Sequence, residues 1–150
     1  MPPKFSLQSV LDYRHMRVES LEIELSELLT AQKQGEAMLE ELKLQMSRLF
    51  EELQEKQIGE IDLFTVAVLR ANIKTTQDRI NQVLDALVLL GQKIEAKRQE
   101  LIVAKQDEEA LVILKNKEAE RFIAEQKRID DRMQDEIYIS QAYRKRVQGN

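Results

Sequence analysis

The segment LFEELQEKQIGEIDLFTVAVL, residues 49–69, joins two long helical patterns through the glycine at position 59. Gly59 can adopt the left-handed backbone conformation that often follows a helix end. Asp62 is a residue type suited to cap the helix that comes next. Two helices joined by a turn this short pack beside each other in antiparallel orientation, so the segment predicts a helical hairpin. The predicted elements are a helix over about 6–57, a turn over about 58–61 and a helix over about 62–147.

Before the turn, apolar residues recur at alternating steps of four and three, as in the heptad repeat of a coiled coil. Arg14, Gln32 and Gly35 are the members of this series that are not apolar. A strict heptad repeat over this length implies a left-handed supercoil, and a helix with one narrow apolar stripe needs a partner. The predicted seam residues of the first helix are Leu7, Leu11, Val18, Leu21, Leu25, Leu28, Leu39, Leu42, Met46, Leu49 and Leu53.

The heptad pattern resumes after the turn, where Thr76 is the one interruption before the pattern loosens. If Leu53 pairs with Val66 across the turn, heptad geometry sets a register that brings Leu28 near Gly91. The predicted seam residues of the second helix are Val66, Leu69, Ile73, Ile80, Val83, Leu87, Leu90 and Ile94.

The stretch from Lys115 to about Val147 has no partner left in the first helix, because roughly fifty residues pair on each side of the turn. It contains no Gly or Pro before Gly149, so its pattern is still helical. We therefore predict a projecting C-terminal helix. The predicted fold class is all-α: a long antiparallel two-helix coiled coil with this projecting helix, in a single domain of residues 1–150.

The first helix is expected to begin at Ser6, whose hydroxyl can accept a hydrogen bond from a free amide of the first turn. Phe5 and Val10 would then occupy the two positions that form a hydrophobic staple. The prolines at positions 2 and 3 oppose an earlier start.

Gln32 and Gly35 form the weakest part of the first seam. One interpretation is a local gap in the packing, which is the more economical one. The other is a flexible joint, or a site where another chain approaches closely.

Some apolar residues exceed what a seam between two helices can cover. They are Val83 and Leu84 with residues 87–90, residues 111–114, and Ile61 with Phe64 near the turn. Self-association or a locally wider seam would account for them. Exposed apolar patches also mark sites of protein interaction, and we favour docking to other proteins.

The composition suits a solvated helical surface, with 33% charged residues, 5% aromatic residues and a net charge of −4. A general nucleic-acid binder would instead carry a strongly basic stripe, so no nucleic-acid partner is predicted. The N-terminus has no apolar core typical of a secretory signal, and no apolar run is long enough to span a membrane. We therefore expect a cytoplasmic protein.

No constellation of residues in this sequence points to catalysis. There is no cysteine for disulfides or zinc ligation, and no glycine-rich loop of the P-loop type. His15 is the one histidine, and on a helix it is better explained as a surface or seam residue than as a ligand or base. We predict no catalytic residue, no metal site, no cofactor and no small-molecule substrate.

The opening string FSLQSVLDYR, residues 5–14, followed by Glu19, is not explained by heptads alone. Near the other end, KNKE at 115–118 and Asp135-Glu136 form a charged pattern. Together with a first helix of about fifty residues, a short break and a longer second helix, these features resemble the FliJ family of the bacterial flagellar export apparatus. The resemblance covers essentially the whole chain.

This resemblance implies a coiled coil similar to the rotor stalk of rotary ATPases. It implies binding to the centre of the hexameric export ATPase, promotion of its assembly, coupling to the membrane export gate and escort of export chaperones. The protein would then associate peripherally with the cytoplasmic face of the membrane. The end with both termini would enter the ATPase, and the turn end would face the gate. The candidate partner-binding residues are Leu42, Leu49, Leu69, Ile73, Arg14, Phe122 and Tyr143.

Two other functions share the heptad pattern. A generic coiled-coil scaffold would form a parallel homodimer and would give Gly59 no special role. A stalk protein of an injectisome or another rotary ATPase would differ mainly in which ATPase it binds, and only the opening string argues against it.

Overall fold

A computed structural model describes residues 3–149 of the chain. Helix α1 runs from Gln8–Lys56 and helix α2 from Leu63–Gln148. The two helices pack against each other, and no strand occurs within the described range. This confirms the predicted all-α fold with a helical hairpin.

The contacts divide the chain into two units. The terminal unit comprises residues 3–18 and 104–149, and the turn unit comprises residues 19–103. Each unit contains part of α1 packed on part of α2. The prediction of one coiled-coil domain stays a prediction.

The turn has the conformation that its residue types favour. Gly59 has a φ of 82°, which lies in the left-handed region. Asp62 caps α2: its Oδ1 accepts a hydrogen bond from the Phe64 amide at 3.0 Å, and its Oδ2 accepts one from the Thr65 hydroxyl at 2.8 Å. These hydrogen bonds, that of the Thr65 hydroxyl first, lower the pKa of the Asp62 carboxyl below its ordinary value.

The start of α1 differs from the prediction. The Leu11 amide donates to the Leu7 carbonyl at 2.9 Å, so Leu7, and not Ser6, occupies the cap position. Val10, the predicted staple partner of Phe5, is exposed. Phe5 is buried in a cluster with Leu11 and Leu111 of the opposite helix, where burial of its apolar ring is favourable.

The core of the turn unit consists of side chains contributed by both helices. Leu42, Met46 and Ile80 are buried together, with Leu39, Ile73 and Val83 packed against them. Burial of one such side chain contributes about 1.5–3 kcal/mol. These contacts hold the two helices side by side.

The seam at Gly35 is a close approach. A Cβ placed at this position would lie 2.8 Å from Leu87 Cδ2, so Leu87 fills the space that a side chain would take. The predicted register pairs Gly35 with Leu84, about one helical turn earlier. The register was wrong because it rested on a single assumed pair beside the turn, Leu53 with Val66.

Thr76 is the polar interruption of the second heptad series, and it is buried. Its hydroxyl donates to the Asn72 carbonyl at 2.8 Å, one turn earlier in α2. The seam therefore accepts this residue without leaving a buried polar group unpaired.

Candidate partner-binding surfaces

The predicted seam residues lie in the interior of the two units. All of them are buried or half-buried except Leu7, which lies just before α1 and is exposed. Leu21, at 1% exposure, is the most deeply buried of the described apolar side chains. Leu101, Ala104 and Leu111 are buried as well, so the regular burial continues past Ile94.

Four partner-binding candidates of the turn unit belong to this interior. Leu42 and Leu69 are buried, and Leu49 and Ile73 are half-buried. Leu42 and Ile73 meet in the core cluster of the turn unit. These four side chains stabilise the hairpin, and their role in binding another protein stays a prediction.

The apolar surface near the turn is formed by other residues. Ile58, Ile61, Leu63 and Phe64 are 54–79% exposed, and we call them the turn patch. The sequence indicated Ile61 and Phe64 as surplus apolar residues. It gave no such sign for Ile58 and Leu63, because a single apolar residue beside a glycine or at a helix start is ordinary.

Arg14 and His15 of α1 form hydrogen bonds to α2 within the terminal unit. The Arg14 Nη1 donates to the Asp107 carbonyl at 2.7 Å, and the His15 Nδ1 donates to the Glu108 Oε1 at 2.7 Å. Arg14 is half-buried, and its guanidinium group bonds to the backbone of α2. This pairing explains an arginine at a seam position, where the heptad alone would favour leucine.

A groove of about 400 Å³ adjoins the buried start of the chain in the terminal unit. Phe5 and half-buried Phe122 contribute its aromatic walls, and Lys115, Glu118 and Arg121 contribute charge. Phe122 is therefore the point on α2 where partial burial ends.

Beyond Phe122, every described residue of α2 is exposed. Tyr143, the last of the partner-binding candidates, lies in this stretch and is exposed. The exposed large apolar residues of this stretch are Ile123, Ile129, Met133, Ile137, Tyr138, Ile139, Tyr143 and Val147. We call residues 123–148 the C-terminal segment. It combines an intact helix with an unpartnered apolar surface.

An ion pair crosses the helices of the turn unit as well. Lys97 Nζ lies 2.9 Å from Glu24 Oε2 and 3.4 Å from Glu100 Oε2. The hydrogen bond to Glu24 is the main reason that the pKa of Lys97 is raised above its ordinary value. This ion pair adds a polar contact between the two helices beside the apolar seam.

A sequence model of the family described as "Flagellar FliJ protein" matches residues 3–147. The chain belongs to the FliJ family. Among curated protein sequences and among solved structures, no significant match was found. Membership identifies the chain as a protein related to flagellar protein export.

The FliJ-like opening string, residues 5–14, has a packing role in this chain. Phe5 and Leu11 are buried against Leu111, and Arg14 bonds to the backbone of α2. The part of the string that heptads do not explain thus fixes the start of α1 on α2. In the described range, neither helix is long and apolar enough to cross a membrane.

Proposed function

We propose that this FliJ-family chain is a non-enzymatic component of the flagellar export machinery. It binds the centre of the hexameric export ATPase, promotes assembly of the hexamer and couples it to the membrane export gate. It also escorts export chaperones. In this role it associates peripherally with the cytoplasmic face of the membrane at the flagellar base.

The observation that carries the proposal is the exposure of the whole C-terminal segment. A helix without tertiary contacts is marginally stable in water, because most helix stability in proteins comes from packing of an apolar face. Ile129, Met133 and Ile137 recur at steps of four, so they lie along one face of the helix. A protein partner that covers this face would supply the missing packing.

The terminal unit is the proposed ATPase-binding part. It contains the C-terminal segment and the groove between Phe5 and Phe122. Its last helical turn carries Lys145 and Arg146, which favour contact with acidic groups of a partner. The turn of the other unit is the proposed gate-binding part.

Two observations disfavour the alternative functions. A parallel homodimeric scaffold needs no turn, whereas Gly59 adopts a positive φ and α1 packs on α2 of the same chain. A stalk protein of an injectisome or another rotary ATPase is disfavoured by the match to the flagellar family.

The test is to mix the purified protein with the flagellar export ATPase of the same organism. ATP hydrolysis and oligomer mass are measured in the same samples. Stimulated hydrolysis together with a hexamer-sized complex supports the proposal. A folded helical protein that neither binds nor stimulates the ATPase would contradict it.

Matched variants locate the contact without disturbing the fold. Ile137→Asp changes a residue of this face of the C-terminal segment that is 56% exposed, and Val103→Asp changes a residue of the turn unit on the same helix that is 55% exposed. We expect Ile137→Asp to weaken ATPase binding about tenfold and Val103→Asp to leave it unchanged. Aspartate at Leu69 or Ile73 would be a poor choice, because it would disrupt the seam.

A further inference from the structure

His15 is the one histidine of the chain, and the chain has no cysteine. Histidine is the side chain whose ordinary pKa, about 6.5, lies in the neutral range. His15 is therefore the side chain of this protein that is expected to change its charge near neutral pH. It lies at a contact between α1 and α2 within the terminal unit, so a change in its charge acts on the packing of the two helices.

The contact of His15 with α2 is short. Its Nδ1 lies 2.7 Å from Glu108 Oε1, and the two side chains are 56% and 23% exposed. A carboxylate only accepts hydrogen bonds, so the shared proton belongs to Nδ1. When the ring carries its second proton as well, the bond joins opposite charges, and such bonds are about twice as strong as neutral ones. The strength of this contact therefore depends on the charge of the ring.

The charged residues around His15 favour its protonated form. On α1, Asp12 lies three residues before it and Glu19 four residues after it, which places both on the same face of the helix. Carboxylates outnumber cations in the whole set, so the local field stabilises an imidazolium. The charged neighbours are Asp12, Arg14 and Glu19 on α1, and Lys105, Asp107, Glu108 and Glu109 on α2.

The same part of α1 contributes to the buried cluster of the terminal unit. Leu11 lies one helical turn before His15, and Leu111 lies one turn after Glu108. Leu11 and Leu111 are buried together with Phe5. The polar contact thus adjoins the apolar one on both helices, and a stronger polar contact holds the start of α1 more firmly on α2.

We propose that the contact between His15 and Glu108 is a pH-sensitive switch that holds the start of α1, residues 8–18, on α2. In mild acid the imidazolium pairs with the carboxylate, and these turns of α1 stay closed on α2. As the pH rises through the pKa of His15, the ring loses its charge and the turns open more often. The stabilising contribution is therefore present at low pH and lost at high pH. The inference does not rest on the proposed function, since no partner takes part.

Proton NMR titration of the full-length protein without a histidine tag measures the pKa of His15, because the chain gives a single histidine signal. The test variant is Glu108→Gln, which keeps the shape of the side chain and removes its charge. The matched control is Glu109→Gln, which removes the same charge from the exposed neighbouring residue. We expect the pKa of His15 to fall by about 0.5 in Glu108→Gln, a threefold loss in proton affinity, and by less than about 0.2 in the control. Equal shifts in the two variants, or no shift in either, would overturn the switch.

Hydrogen–deuterium exchange then tests whether the proton acts on the helix. After correction for the intrinsic exchange rate, residues 8–18 should be protected about threefold more at about pH 5.5 than at about pH 8, because proton binding and opening are linked. Residues 66–94 of the turn unit are the internal reference and should show no such difference. His15→Gln should abolish the difference in residues 8–18.

The exchange experiment can overturn the inference by itself. If protection of residues 8–18 is independent of pH in the wild type, the contact has no effect on the helix and is not a switch. A difference that persists in His15→Gln would assign the pH dependence to another group. Neither result concerns ATPase binding, so failure of the switch leaves the proposed function in place.

Discussion

Helix α2 contains two stretches that differ in packing although they share one backbone conformation. From Val66 to Leu111, buried or half-buried residues recur at steps of mostly three or four and face α1. From Ile123 onward, every described residue is exposed. Both stretches mix apolar residues with charges of both signs, so composition does not separate them. The difference is the presence of a partner helix.

The two stretches are therefore stabilised by different interactions. A buried seam side chain contributes about 1.5–3 kcal/mol. The C-terminal segment has hydrogen bonds and pairs within one helix, such as Arg128 Nη2 with Glu125 Oε1 at 2.7 Å. Pairs of this type contribute about 0.2–0.5 kcal/mol each. The C-terminal segment therefore lacks the packing energy that α1 supplies to the paired stretch.

The largest expected effect is at the centre of the paired stretch. Leu21→Ala removes the most buried of the described leucines and should lower the free energy of unfolding by about 3 kcal/mol. Urea denaturation followed by circular dichroism measures this change. Ile123→Ala is the matched variant in the unpaired stretch, and it should change the free energy by less than about 0.5 kcal/mol. Equal losses in the two variants would contradict the distinction between the stretches.

A smaller effect is expected from two glycines within the paired part. Gly91 has open space where a Cβ would stand, so Gly91→Ala should stabilise the helix by about 0.5–1 kcal/mol. Gly35→Ala brings the same gain in helix propensity, but the new Cβ displaces Leu87. We expect Gly35→Ala to gain clearly less or to lose stability. If thermal unfolding shows equal gains for both, the close approach at Gly35 is refuted.

The contribution of the turn residue Asp62 to folding stability should decrease modestly at acidic pH. The folded-state pKa of Asp62 is lowered, so its stabilising contribution is complete above the ordinary carboxyl pKa and is lost as the pH falls through the folded value. Asp62→Ala should reduce stability at neutral pH and have less effect in strong acid. Thermal unfolding of both proteins between neutral and strongly acidic pH measures the difference. A difference that does not shrink in acid would argue against the charged cap.

The smallest effect on stability is expected from Lys97 at alkaline pH. The pKa of Lys97 is raised by Glu24, so the contribution of this pair is present below the ordinary lysine pKa and is lost as the pH rises through the folded value. Lys97→Gln should lower the melting temperature slightly at neutral pH, and the difference should vanish at high pH. A constant difference would show that Lys97 acts through packing of its stem alone.

The sequence predicted the fold well because a heptad repeat encodes burial directly. Leu21 and Ile80 are buried, as the heptad pattern predicts. The chain turns at Gly59, the one glycine between the two helices, which has a positive φ. The relative register of the two helices was harder to predict from the sequence, because it depends on how closely Leu87 of α2 can approach Gly35 of α1. The choice of Ser6 as cap was wrong by one residue, since the first helical hydrogen bond runs from the Leu11 amide to the Leu7 carbonyl, while Phe5 packs on α2.

The binding surfaces were harder to predict than the fold. Leu42 and Leu69 are apolar in sequence, and nothing in the pattern separates a seam leucine from a docking leucine. The structure buries both, whereas Ile58 and Leu63, which resemble ordinary turn residues, are exposed. Whether an apolar side chain is exposed depends on the position of the second helix, which the conformation of the turn determines.

Hydrogen–deuterium exchange of the full-length protein, alone and mixed with the export ATPase, tests the central claim most directly. Free in solution, amides of residues 123–148 should exchange much faster than those of residues 66–111, because no side chains cover that part of the helix. Addition of the ATPase should slow exchange in residues 123–148 and leave residues 49–69 unchanged. Slow exchange in the free segment, or no change when the ATPase is added, would contradict a helix that is completed by its partner.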